Sequence, residues 1–115
     1  REPMLDLQTL KKHGYIKVLQ GKEFILYSGL IWLAHEEGLH GIQTELIEAD
    51  WDNGRFVFVA TVTGKRGTYT GYGDATTRNV SKGILPHALR MAETRAKARA
   101  LRDYTSIGLC SVEEL

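Results

Sequence analysis

The sequence predicts an α+β fold: a strand, a helix, a three-stranded antiparallel meander and one long helix, with the helices on one side of the sheet. Three observations carry this reading. Arg55–Thr63 is rich in β-branched and aromatic residues, and Phe56, Phe58, Ala60 and Val62 share one face at period two. Two tight-turn signals bracket it, Asp52-Asn53-Gly54 and Gly64-Lys65-Arg66-Gly67, because Asn and Gly accept positive φ. The stretch RMAETRAKARALRDY, Arg90–Tyr104, holds no glycine or proline and is rich in alanine and arginine, as a long helix would be.

The remaining elements follow in order. Residues 1–13 read as a flexible, irregular N-terminal segment with at most a helical turn over Asp6–Lys12, and residues 14–115 as one domain. Tyr15–Leu19 reads as a short strand closed by Gly21, while Phe24–Tyr27 is apolar and ambiguous. Ser28 is the expected N-cap of a helix through Glu37, with Leu30, Leu33 and Ala34 at helical spacing and Gly38 at its C′ position. Ile42–Asp50 is the first meander strand, with Ile42, Leu46 and Ile47 apolar. Thr68–Tyr72 is the third. Gly71 and Gly73 leave that strand bare, which suits close approach of another backbone or a helix. Residues 74–83 form a polar loop, and Pro86 starts a helix that runs from His87 to about Ser106.

Composition bounds the function. With 115 residues, 43% hydrophobic and 25% charged, the chain fits one small globular domain that oligomerisation would help to stabilise. No apolar run approaches the ~18 residues of a membrane span. No secretory signal is readable, and a single cysteine, Cys110, allows no intrachain disulfide. The expected setting is cytoplasmic and nucleoid-associated.

The overall charge of +1 hides an asymmetry. Residues 1–54 carry five basic and nine acidic residues, net −4, and residues 55–115 carry ten and five, net +5. Over residues 55–102 the only acids are Asp74 and Glu93, which leaves a net +8. Two readings fit: an anionic partner for the second half, or attraction between the two halves within or between chains.

On a helical wheel Arg95, Arg99 and Arg102 form one narrow stripe, with Leu89, Ala96 and Ala100 on the opposite side. Glu93 and Lys97 make an i,i+4 pair worth only ~0.2–0.5 kcal/mol. The stripe lacks such acidic partners except at its margins, and stacked like charges repel. An anion outside the helix would explain it, and arginine suits bidentate phosphate contacts; a solvated face or pairing between subunits is the alternative. Lys65 and Arg66 at the hairpin tip, and Arg78 and Lys82 in the loop before the helix, bracket the same region. The tip lysine and arginine also fit simple protection of a sheet edge. Tyr69 and Tyr72 interleave with these cations, the pattern of single-strand nucleic-acid binding, although core packing is the favoured reading of the tyrosines.

Other motifs fail. Gly71-Tyr72-Gly73 is a lone GxG, with Thr76 where a dinucleotide site needs glycine, and Thr63-Gly64-Lys65-Arg66 lacks the remainder of a P-loop. His13, His35, His40 and His87 show no metal spacing with Cys110. Asp50 and Asp52 belong to their turn, and Asp74 to a bend. No nucleophile–base pair is readable, so the chain is not read as an enzyme, and no catalytic residue, metal or cofactor is assigned.

Asn53-Gly54-Arg55-Phe56, Gly71-Tyr72-Gly73 and Arg99-Ala100-Leu101-Arg102, in that order and spacing, resemble the annealing core of the Rad-fifty-two family of single-strand annealing proteins. The resemblance spans about residues 15–106 and extends to prokaryotic and phage relatives. It implies ATP-independent binding of single-stranded DNA and annealing of complementary strands in recombination and repair, by a homo-oligomeric ring or filament that holds DNA in an outer basic groove. It carries over backbone contacts to Arg99 and Arg102. Arg95, Arg78, Lys82, Lys65 and Arg66 are this chain's own additions to the DNA-binding set. The chain departs from the family at Ala98, where a lysine is expected, and near Val18, Asn79 and Ser81. Single-strand or DNA-end protection without annealing, or an oligomeric scaffold that binds no DNA, are the alternatives.

Overall fold

The computed structural model describes residues 3–115. Its elements are α1 (Pro3–Lys12), β1 (Ile16–Leu19), β2 (Lys22–Ile25), α2 (Tyr27–Glu36), β3 (Leu39–Asp50), β4 (Arg55–Gly64), β5 (Gly67–Thr76), α3 (Leu85–Thr105) and a closing 3₁₀ turn (Val112–Glu114). β1 and β2 form a hairpin of their own, and β3, β4 and β5 form an antiparallel sheet in that order. The α+β layout and the meander followed by a long helix are as the sequence predicts.

Four local expectations need correction, the first being the loop expected from residue 74: β5 runs on through Thr76, so Asp74 lies in a strand and not at a bend. The segment expected to be irregular is helical over Pro3–Lys12, while residues 1 and 2 lie outside the described residues. One apolar side chain, Leu10, is wholly buried in the core and holds this helix down. The ambiguous stretch at Phe24 is the return strand of a hairpin. Gln20 and Gly21 form its two-residue turn, both at positive φ (51° and 77°), and a glutamine in that role leaves no sequence signal. α2 begins at Tyr27, one residue before the expected cap Ser28, and no side chain of its own caps it. At its other end Gly38 adopts φ 79°, as a residue just past a helix often must.

The meander is organised by period two. Phe56, Phe58, Ala60 and Val62 of β4 are buried on the inner face. The β3–β4 connection is a four-residue loop, because Asp50 pairs with Arg55. Asp50 accepts from the Asn53 backbone at 3.0 Å and from its side-chain amide at 2.8 Å. A register shift between Leu46 and Glu48 leaves Ile47 as the extra residue of a bulge, which explains two adjacent apolar residues in a strand that otherwise alternates.

α3 crosses this inner face against β5 and β4. A Cβ on Gly71 would lie 2.5 Å from the Ala100 backbone nitrogen, and one on Gly73 would run into the Ala96 backbone. The two bare positions are therefore where the helix backbone rests on the strand, as expected. Ala96 and Ala100 face that strand. Ala98 points the opposite way on the helix and is also fully buried. The C-terminal half of α3 is thus covered on both sides, by the sheet on one and by other parts of the chain, with α2 and the 3₁₀ turn in contact with the helix. Its alanines keep it thin enough to sit between two layers.

Candidate nucleic-acid interface

Arg95, Arg99 and Arg102 lie along the side of α3 that overhangs the free edge of β5. Gly64 faces Gly67 across a two-residue turn, so odd-numbered residues of β5 bond to β4 and even-numbered ones present their carbonyls to the open edge. Arg95 donates to the Asp74 carbonyl at 2.9 Å and Arg99 to the Tyr72 carbonyl at 2.8 Å. The stripe therefore does structural work, because it covers acceptors that an edge strand would leave to solvent or to another chain.

A second partner comes from the end of the described chain. Ser111 makes a parallel bridge to Ile25 of β2, and the Ile25 N–H donates to the Cys110 carbonyl at 3.0 Å. Anchored there, residues 111–115 lie as a strap against α3. Arg95 donates to the carbonyls of Glu113 (3.3 Å) and Leu115 (2.7 Å). Arg102 meets the Glu114 carboxylate at 2.6 Å, and Arg99 approaches Glu114 and Asp74 at 3.7 Å each. Ser111 supplies its N–H and hydroxyl to the same carboxylate, at 2.8 and 2.7 Å, closing a capping box. Burial pushes the Glu114 carboxyl up, but the Ser111 hydrogen bonds and the Arg102 guanidinium together outweigh it and hold it below the usual glutamate range.

The anion expected outside the helix is in this structure the chain's own Glu114. Arg99 and Arg102 face the carboxylates of Asp74 and Glu114, which offset much of the stripe's charge, while Arg95 bonds main-chain oxygens. Glu113 also has a structural duty: its carboxylate accepts from the Tyr27 N–H at 3.0 Å and caps α2 from a distance. The Ser-x-x-Glu pattern at Ser111–Glu114 was a readable signal for the strap; which surface it would fold onto was not.

The other expected cations are spread over the length of α3, ~30 Å for its 21 residues. Lys65 and Arg66 sit at its C-terminal end. The Lys65 stem packs across Gly38, and Arg66 donates to the Ser106 hydroxyl at 2.8 Å, so the hairpin tip is pinned to the helix end. Arg78 and Lys82 lie in the loop at its N-terminal end, exposed and without an acidic partner among the described residues. Arg90, not singled out in the sequence, is likewise exposed nearby. The expected Glu93–Lys97 pair does not form. Glu93 accepts from the Thr44 hydroxyl at 2.7 Å, and Lys97 lies 5.8 Å over the Tyr27 ring.

The two tyrosines separate. Tyr69 is half-buried and meets Tyr104 edge-on at 5.8 Å, a core contact. Tyr72 is 60% exposed on the edge strand whose carbonyl Arg99 holds, so its ring is free to stack. Ala98, where the family resemblance would place a lysine, is fully buried, and a charged side chain there would have to displace the layer above it.

No protein-family model matches this chain, and no curated protein matches it at a significant level. Among the described residues no helix is long and apolar enough to cross a membrane.

Proposed function

We propose that the chain binds single-stranded DNA along the β5 edge and, as a homo-oligomer, anneals complementary strands without ATP in recombination or repair. One observation carries the reading: Tyr72 is 60% exposed on the edge strand whose carbonyl Arg99 holds, and the loop that follows this strand carries Arg78 and Lys82, exposed and without an acidic partner among the described residues. Aromatic faces and a line of cations are what a single strand requires, because every base can stack and every phosphate needs neutralising. In this reading the open sides of Arg95 and Arg99, with Arg78 and Lys82, hold phosphates. Arg102 keeps the strap in place and contributes little to DNA directly.

Fluorescence anisotropy with a labelled oligo(dT) tests it. The pair Arg78→Glu and Lys82→Glu should weaken binding strongly and reduce the salt slope by about two phosphate contacts. Both residues are exposed, so folding should survive; affinity unchanged at low salt would refute the assignment.

A second reading, a scaffold that binds no nucleic acid, is favoured by the Asp74 and Glu114 carboxylates that offset Arg99 and Arg102. The two part on size: a scaffold sediments identically with and without oligonucleotide.

A further inference from the structure

The N-terminal half of α3 carries a second face that the sheet does not cover. His87, Arg90, Met91 and Arg95 fall on it at helical spacing, and the strap forms the opposite wall. Between them lies a cleft of about 460 Å³, within the range of sites that hold small ligands or a few residues of peptide. Met91, Val112 and Leu115 give it an aliphatic lining, and Arg90 and Arg95 give it positive charge. The charge is available. Arg90 has no acidic partner among the described residues, and Arg95 hydrogen-bonds main-chain oxygens rather than acidic side chains. The one acidic side chain on the wall, Glu113, is turned to the α2 N-terminus.

We propose that this cleft binds a short acidic peptide segment of a partner protein, in which carboxylates flank aliphatic side chains. Arginine pairs with carboxylates through a planar fork, and an aliphatic pocket takes an aliphatic side chain. No phenylalanine, tyrosine or tryptophan lines the cleft, and its aliphatic Met91, Val112 and Leu115 suit an aliphatic side chain better than a nucleic-acid base, which only the His87 imidazole and the arginine planes could stack on. The site stands independently of DNA binding at the β5 edge; Arg95 borders both, so the test rests on Arg90 and Met91.

The probe is a fluorescein-labelled peptide of alternating Asp and Leu, titrated at low salt. Saturable binding is expected, weakened at least about tenfold by Arg90→Glu and by Met91→Asp, because charge reversal and loss of an apolar anchor each cost that much at an interface. Both variants should keep the wild-type circular dichroism spectrum, and a peptide with Ser for Leu should bind at least about tenfold more weakly. Three results overturn the proposal: no saturable binding, affinity indifferent to either substitution, or equal binding of the Ser peptide. A fourth is oligo(dT) that displaces the peptide and itself loses affinity on Met91→Asp, which would assign the cleft to nucleic acid.

Discussion

The carboxylate of Glu114 lies 2.6 Å from the guanidinium of Arg102 and is only 4% exposed. This contact ties residues 111–115 to the long helix. It makes Arg102, one of the two arginines that the resemblance favoured as DNA contacts, a structural residue first.

Arg102→Ala should therefore destabilise the protein by about 2 kcal/mol, the scale of a lost charge-assisted hydrogen bond to a carboxylate that cannot easily reach water. The Arg102 Nε, buried without a partner, keeps the figure from being larger. Urea unfolding at neutral pH measures it, and a midpoint equal to wild type would show that the strap is not held by this pair.

The same carboxylate gives a pH signature. Its folded-state pKa lies below the ordinary glutamate value of 4.5. Its contribution is thus fully present above that value and is lost as pH falls through the lower, folded one. Glu114→Gln should show a shallower loss of stability over that acidic window, and parallel wild-type and variant curves would contradict this.

Glu113→Ala removes the acceptor from the Tyr27 N–H at the start of α2. The expected cost is about 1 kcal/mol, as for a lost N-cap, and thermal melting would register it. The effect should be absent in Ser28→Ala, because Ser28 does not cap the helix.

Gly73→Ala would push a methyl group into the α3 backbone, which cannot move without lifting off the sheet. A cost of about 3 kcal/mol or more is expected, at the upper end for overpacking. Gly71→Ala should be somewhat milder. Gly83→Ala, with open space around it, serves as the neutral control. Equal melting temperatures for Gly73→Ala and Gly83→Ala would mean that α3 does not rest on β5 as described.

Much of this fold was legible because its signals are local. Alternation in β4, the Asn53-Gly54 and Gly64–Gly67 turns, and the alanine-rich run each need only neighbouring residues. Gly71 and Gly73 even announced the close approach of a helix. The site was half legible. The stripe of Arg95, Arg99 and Arg102 was visible from helical spacing, but its partners were not. The Tyr72 and Asp74 carbonyls depend on which strand edge stays open, and Glu113 and Glu114 depend on a strap that reaches α3 only through its bridge at Ile25. The same long-range packing hid the burial of Ala98, and it could not have told Tyr69 in the core from Tyr72 at the surface.

The most direct test of the central reading is annealing of complementary dye-labelled oligonucleotides, followed by energy transfer without ATP, for wild type and for Tyr72→Ala with Arg78→Glu and Lys82→Glu. Wild type should accelerate annealing well above the spontaneous rate, more strongly at low salt, and the triple variant should lose most of that acceleration while remaining folded. Spontaneous-rate annealing by folded wild-type protein, or full activity in the variant, would contradict it.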